Sequence, residues 1–374
     1  MKLSNKITGC VLILFICFFS LATFFGKKKD YSDKENRPLA DFPEITGQGL
    51  MYGDSGRELN AYMADHFAFR DSWIALGAGI GANVGEAFIN GVYVTPERLI
   101  AADTSYRHCL PENAAAVNSF SENYDGAVYF AAIPTSAGIY SDLLPPYLAA
   151  STEKQMLDGF YGTLLGDIRK IDAYNILKML SENYIYYRTD RKWTSYGAYC
   201  VYRTVIQKLG FMPVSYDKYT IRHVTDGFRG DLYSRAQHME SKADILDIYE
   251  YDDGTEIVRC RAYSSDGFVY DKELYDLAAG ETDSSYKLYL GEPAAVVTLT
   301  TTVNNDRRLL VIGDEFTSCF IPFLTKHYSE IAFVSPKYMS KGLAEYLDPG
   351  DYEQTLFLLG IDSLETDVLG KIND

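Results

Sequence analysis

The 374-residue chain is 47% hydrophobic and 23% charged, the balance of a folded globular protein, and it carries no long Pro/Ser/Gly tract, which excludes an extended disordered region. The formal net charge is −16, and the five lysines of residues 1–29 are the only charged side chains there, so residues 30–374 are more acidic than the whole and repel nucleic acid and anionic membrane surfaces. Cys109, Cys200, Cys260 and Cys319 are scattered without a CxxC spacing or a paired histidine, so zinc is not expected and no particular disulfide is assigned; no other metal and no cofactor is assigned either.

In chain order, residues 7–26 come first, ITGCVLILFICFFSLATFFG, an uncharged run flanked by lysines. About 20 such residues are enough to cross a bilayer. A cleavable signal usually has an apolar region of roughly 7–15 residues and a small-residue cleavage site, and LATFFGKKK offers no clean one. Ile7-Thr8-Gly9-Cys10 has the form of a lipoprotein cleavage box but precedes the apolar run instead of following it, so lipidation is rejected. The segment reads as a transmembrane anchor or an uncleaved signal. Lysines on both flanks leave its orientation open. Residues 27–48 are polar, contain two prolines and read as a stalk.

Folding is expected from residue 49. The apolar spacing over 54–90 predicts helices, with Asp54 or Ser55 capping one and Asp71-Ser72 the next. Gly77, Gly79, Gly81 and Gly85 miss the dinucleotide spacing and follow no strand, which excludes that reading. GVYVTPERLIA (91–101) predicts a hairpin and 112–122 a helix. AVYFAAIP (127–134) predicts a strand buried on both faces, whose downstream loop, Thr135 to Pro146, reaches a site. A helix over about 151–168, a strand near 173–177 and a helix after Trp193 continue the alternation, giving an α/β class with a doubly wound, mainly parallel sheet. Residues 213–300 read as a β-rich insertion. RRLLVIGDEFTSCFIPFL (307–324) then gives a strand, a sharp Gly313-Asp314 turn and a helix, and IAFVSP and TLFLLG supply further strands.

Several pieces, in order, carry a resemblance: Glu35-Asn36-Arg37-Pro38-Leu39-Ala40; Asp65-His66-Phe67-Ala68-Phe69-Arg70-Asp71; Tyr187-Arg188-Thr189-Asp190 with Trp193-Thr194; and Gly313-Asp314 with Phe320-Ile321-Pro322-Phe323-Leu324. Together they resemble the DHHW family, bacterial proteins similar to the SGNH-hydrolase-like alginate O-acetylation proteins. The resemblance implies an SGNH-like fold and residues 30–374 outside the cytoplasm, behind a single-pass anchor at the cell membrane with residues 1–6 as a cytoplasmic tail. It also implies a cell-surface polysaccharide as partner, with a membrane O-acyltransferase as a second one. In the acetylation relatives an Asp and a His come from a D-x-H-W segment and a Ser from a later G-D-S turn.

Here the resemblance places Asp190 in its expected role, puts Arg191 and Lys192 at the histidine positions, and puts Glu315 at the serine position. A serine attacks only when a neutral imidazole takes its proton and a carboxylate fixes that imidazole. A lysine near its ordinary pKa of about 10.4 is protonated at neutral pH and accepts nothing. Asp190, Lys192 and Glu315 are therefore expected to form an inactive, ion-paired remnant of a triad, against the blander alternative of unrelated surface charges. Trp193, Arg191, Gly313 and Asp314 are the binding candidates, Trp193 by sugar stacking and Arg191 by contact with an acidic glycan.

Thr317, Ser318 and Cys319 lie two to four residues into a helix, which rotates a side chain by roughly 200–400° and moves it about 3–6 Å from the serine position. They are expected to pack or cap. His66, His108, His223, His238 and His327 are assigned structural or solvent roles. Use of Asp190 and Glu315 as a carboxylate pair for glycoside hydrolysis or for holding a cation is disfavoured by Lys192 between them. Two functions follow: a noncatalytic envelope protein that binds a surface polysaccharide or assists its modification, or an O-acetyltransferase or acetylesterase with an unusual site.

Overall fold

The run Ala127–Ile133 (β1) alternates between two apolar environments. Tyr129, Ala131 and Ile133 enter one hydrophobic cluster, and Val128, Phe130 and Ala132 enter another. In the computed structural model, which describes residues 3–25, 28, 31–32, 37–42, 54–70, 72–73, 88–101, 109–145, 153–236, 241–281 and 285–374, β1 lies inside an eight-stranded sheet. The other strands are Arg169–Ile171 (β2), Ile257–Tyr263 (β3), Val269–Asp271 (β4), Val296–Thr301 (β5), Arg308–Gly313 (β6), Glu330–Val334 (β7) and Gln354–Gly360 (β8). Their order is β4-β3-β5-β7-β6-β8-β1-β2. The run from β7 to β2 is parallel throughout, whereas β5, β3 and β4 extend it antiparallel.

Both faces of the sheet are covered by helices, as an all-buried parallel sheet requires. Val201 and Val205 of the helix Ser195–Lys208 share the cluster of Tyr129 and Ile133. Val117 and Phe120 of Leu110–Glu122, with Leu157 and Phe160 of Glu153–Thr163, share the cluster of Phe130. Each such side chain contributes roughly 1.5–3 kcal/mol on burial, so the strand ends are fixed points on a rigid layer. In an open α/β sheet the carboxyl ends of the strands carry the site. Here β1, β6 and β8 deliver Thr135, Asp314 and Asp362 to that edge.

Three expectations need adjustment. Residues 173–177 are helical, not extended: the strand is Arg169–Ile171, and Asp172 then caps Ala173–Met179 by accepting from Asn175 N at 3.0 Å. The helix expected over 151–168 is Glu153–Thr163. Residues 213–300 do not form one inserted β layer. Thr220–Phe228 and Asp244–Glu250 make a separate antiparallel ribbon, while β3, β4 and β5 join the main sheet. The hairpin Val92–Val94 with Leu99–Ala101 is present.

The chain divides into two units, Met1–Asn90 with Ser234–Glu240, and Gly91–Tyr233 with Ser241–Asp374; the sheet belongs to the second. In the first, a helix runs Leu3–Phe25 and another Asp54–Asp65. Among the described residues, which omit several side chains of Leu3–Phe25, no helix is long and apolar enough to cross a membrane. Within the expected stalk, Tyr31–Ser32 pairs antiparallel with Arg37–Pro38. Ala40 is held at both polar atoms: its N–H donates to Asp65 Oδ2 and its carbonyl meets His66 Nε2, each at 2.9 Å. The Asp71 cap and the four glycines from Gly77 to Gly85 lie outside the described residues.

Candidate functional site

The segment from Tyr186 to Trp193 folds back on itself: these two residues form an isolated antiparallel bridge, and Tyr187 N donates to Lys192 O at 3.2 Å. The tip is held by a buried carboxylate. Asp244 accepts from Arg188 N and Thr189 N at 2.8 Å each, from Thr189 Oγ1 at 2.6 Å and from the Tyr184 hydroxyl at 2.5 Å. With the backbone fixed this way, Asp190 and Lys192 project together into the unit's interior.

Asp190 is buried. Its Oδ1 accepts from Lys192 N at 2.9 Å and from Lys192 Nζ at 3.2 Å, and its Oδ2 accepts from Asp231 N at 3.1 Å. Gly230 lies so close that a Cβ there would sit 2.2 Å from Asp190 Oδ2; only glycine allows this approach. Beyond Asp190, Lys192 Nζ is 3.6 Å from Glu315 Oε2 and 5.0 Å from the centre of the Tyr286 ring. Asp190, Lys192 and Glu315 are thus brought into one carboxylate–ammonium–carboxylate chain.

Arg191 closes the other side. Its Nη1 is 3.0 Å from Asp362 Oδ2, its Nε 3.5 Å from Asp231 Oδ2 and its Nη2 3.8 Å from Glu315 Oε2. Lys337 Nζ meets the second Glu315 oxygen at 3.3 Å. Glu315, about a third exposed, therefore faces three cations.

The charge states follow from this packing. Burial alone would raise the Glu315 carboxyl, but Lys192, Arg191 and Lys337 outweigh it and hold it down to about 2. Burial would likewise raise Asp190, yet Lys192 and the two backbone N–H groups bring it below the ordinary aspartate value. Burial disfavours the Lys192 ammonium, but Asp190 and Glu315 overcome that and raise it above its usual value. All three members are charged at neutral pH. The ammonium has no lone pair with which to take a proton, and the carboxylate at position 315 is a poor nucleophile.

The binding candidates are placed differently from expectation. Trp193 is fully buried, donates Nε1–H to Phe316 O at 2.9 Å and packs on Phe316 and Phe320. It positions the segment and offers no open ring face to a sugar. Asp314 ties the turn after β6 to that after β8, accepting from Phe316 N at 2.9 Å, Gly360 N at 2.7 Å and Ser363 Oγ at 2.6 Å. Burial and the neighbouring Asp362 push its carboxyl up to about 6. A Cβ on Gly313 would meet Thr317 Oγ1 at 2.1 Å, so this position serves close packing. Arg191 reaches the site's edge but is engaged by three carboxylates.

Thr317 donates to Leu358 O at 2.7 Å, and Cys319 accepts from the Tyr286 hydroxyl at 3.0 Å with its thiol pushed by burial up to about 12. Neither is a nucleophile in this setting, and Ser318 is half-buried. His327 is buried against the Tyr202 hydroxyl at 2.6 Å, His223 pairs with Asp247, and His66 holds Ala40 in the smaller unit. His108 and His238 lie outside the described residues. Among the described residues no group of acids, histidines and cysteines is arranged to hold a metal ion.

Sequence reasoning missed Asp231, Asp244, Asp362 and Lys337. Asp362 was within reach, because TLFLLG-I-D repeats the strand-then-acid pattern of LLVIG-D at the next strand of the sheet. A further group, Glu153, is buried behind the edge and accepts from Thr135 N at 2.8 Å and Thr135 Oγ1 at 2.6 Å. Burial, only partly offset by those bonds, pushes it up to about 7.

The fold has solved counterparts. A DHHW family protein from Eubacterium siraeum DSM 15702 superposes with a TM-score of 0.64 at 19% identity, over 76% of this chain and 95% of that one. Bacillus cereus PatB1 with a sulfonyl adduct gives 0.64 at 18% identity, over 75% and 99%. A second structure of Bacillus cereus PatB1 gives 0.62 at 20%, again over 75% and 99%. At these identities the likeness is one of fold. No curated protein matches the chain in sequence. The family described as DHHW protein matches residues 73–334, well over half of the chain, and with the Asp190-to-Trp193 segment at the carboxyl edge of the parallel sheet this chain belongs to the DHHW family.

Proposed function

We propose that this is a membrane-anchored, extracytoplasmic DHHW protein whose acyl-transfer triad has become an ion-pair chain, so that it binds a cell-envelope polysaccharide, or assists a membrane O-acyltransferase that modifies one, without turning over an ester itself. The observation that carries this reading is the position of Lys192 Nζ, 3.2 Å from Asp190 Oδ1 and 3.6 Å from Glu315 Oε2. Those positions correspond to the acid, base and nucleophile of the acetylation relatives that the sequence resembles, and the proton-transfer roles at the second and third have been replaced by fixed charges. The uncharged run 7–26 supports the anchor.

The test is acetyl-ester hydrolysis by the purified chain, compared with the double substitution Lys192→His, Glu315→Ser, both verified as folded. The proposal expects turnover only in the double variant, because the scaffold still presents Asp190 to position 192. Turnover by the native chain that is lost in Asp190→Asn would establish the enzymatic alternative instead.

A further inference from the structure

The smaller unit carries three large aromatic side chains within seven residues, all turned outward. Phe67, Phe69 and Trp73 are 42%, 59% and 41% exposed. A cluster of this kind marks a surface that something else covers. Phe69 moreover has φ of 60°, the left-handed region, which costs an L residue with a bulky side chain roughly 1–2 kcal/mol. Ser72 N and Trp73 N hold it there by donating to Phe69 O at 2.9 and 3.1 Å, as does Arg70 Nε by donating to Ala64 O at 3.1 Å.

The strained turn sets the rings against the apolar helix Leu3–Phe25. Phe67, Phe69 and Trp73 lie 5.8, 6.2 and 5.6 Å from Phe19, ring centre to ring centre, and Ala68 N donates to Thr23 Oγ1 at 3.0 Å. These contacts lie in the C-terminal half of that helix. Val11, Leu12, Ile13, Leu14, Phe18 and Leu21 on the same helix are each more than half exposed, forgoing roughly 1–2 kcal/mol of burial apiece in water.

A lipid surface fits this patch better than a protein does. The aromatic rings, Trp73 among them, gather at the end of the helix farthest from its one charged residue, Lys6, and a tryptophan at the end of an apolar span is characteristic of a membrane boundary. That end leads directly into Lys27-Lys28-Lys29. Lys28 Nζ sits 4.9 Å over the Tyr62 ring, at a cleft of about 460 Å³ lined by Phe15, Phe19, Phe42, Tyr62 and Phe67. Cations beside an apolar cleft suit an acyl chain beneath an anionic headgroup.

We propose that the Phe67–Trp73 loop is a membrane-contact surface, whose three rings enter the headgroup–acyl boundary beside Leu3–Phe25 while Lys28 meets anionic headgroups. This rests on the membrane anchoring in the function proposed above. Its consequence is a second, peripheral attachment next to the helix, shallow in depth as interfacial segments are.

The chain has two tryptophans, and Trp193 is fully buried, so the fluorescence difference between the native chain and Trp73→Phe isolates Trp73. The full chain is reconstituted in vesicles of phosphatidylcholine and phosphatidylglycerol in equal parts, floated on a density gradient, and exposed to acrylamide or to lipids brominated near the headgroup or near the chain end. The proposal expects flotation, protection of Trp73 from acrylamide, and about twofold stronger quenching by the shallow bromines than by the deep ones. Flotation with Trp73 open to acrylamide would overturn the loop surface while leaving the anchor standing. Protection from acrylamide without bromine quenching would mean that protein covers the loop, also overturning it. Absence of flotation would remove anchor and loop together.

Discussion

Lys192 and Glu315, far apart in sequence, meet at 3.6 Å because one lies on the returning arm of a clamped hairpin and the other begins the first turn after β6. Lys192 is held charged by Asp190 and Glu315, and Glu315 by Lys192, Arg191 and Lys337. Removing one partner of a buried ion pair strands the rest, so the pair is more informative broken than intact.

Lys192→Met should destabilise the fold by about 3 kcal/mol, since Asp190 would lose its cation while remaining buried. Glu315→Gln should cost about 1 kcal/mol or less, because that carboxylate is partly solvated. Urea unfolding of both variants checks the order. Adding Asp190→Asn to Lys192→Met should recover part of the larger loss.

The clamp at Asp244 should be graded in the same way. Asp244→Ala leaves the donors from Tyr184, Arg188 and Thr189 without their acceptor at a buried position and should cost about 3 kcal/mol or more. Asp244→Asn keeps one acceptor oxygen and should cost clearly less. Equal losses in urea unfolding would show that packing, and not the hydrogen bonds, holds the segment.

Glu153 gives a pH signature. Its folded-state pKa, pushed up to about 7, lies above the ordinary 4.5, so the native state holds the proton more tightly than the unfolded chain. Its contribution is fully present below about pH 4.5 and is lost as pH rises through about 7, by up to about 3 kcal/mol. Relative to Glu153→Gln, the native chain should therefore lose stability between pH 4.5 and 8. Parallel stability curves for the two proteins would contradict this.

Much of the scaffold was legible in the sequence because its strands are apolar on both faces: AVYFAAI and LLVIG announced buried strands without any long-range information. Residues 173–177 were misread because Asp172 acts as a cap, and a short apolar run after a cap looks the same in one dimension whether it coils or extends. At the site, Asp190, Lys192 and Glu315 were named through resemblance, and the distances bring them together. Asp231, Asp244 and Lys337 were not legible, since nothing local distinguishes an aspartate that accepts four hydrogen bonds from one on a solvated loop. Trp193 was misassigned for the opposite reason: its ring is suited to sugars, but its Nε1–H bond to Phe316 O and its place under Phe320 commit it to the core.

The most direct measurement of the central claim is covalent labelling by a sulfonyl fluoride, read by intact mass and peptide mapping, on the native chain and on Lys192→His, Glu315→Ser. The proposed loss of nucleophile and base predicts no adduct on the native protein and a single adduct at position 315 in the double variant, where both are restored. An adduct on the native chain at or near residue 315 would contradict it.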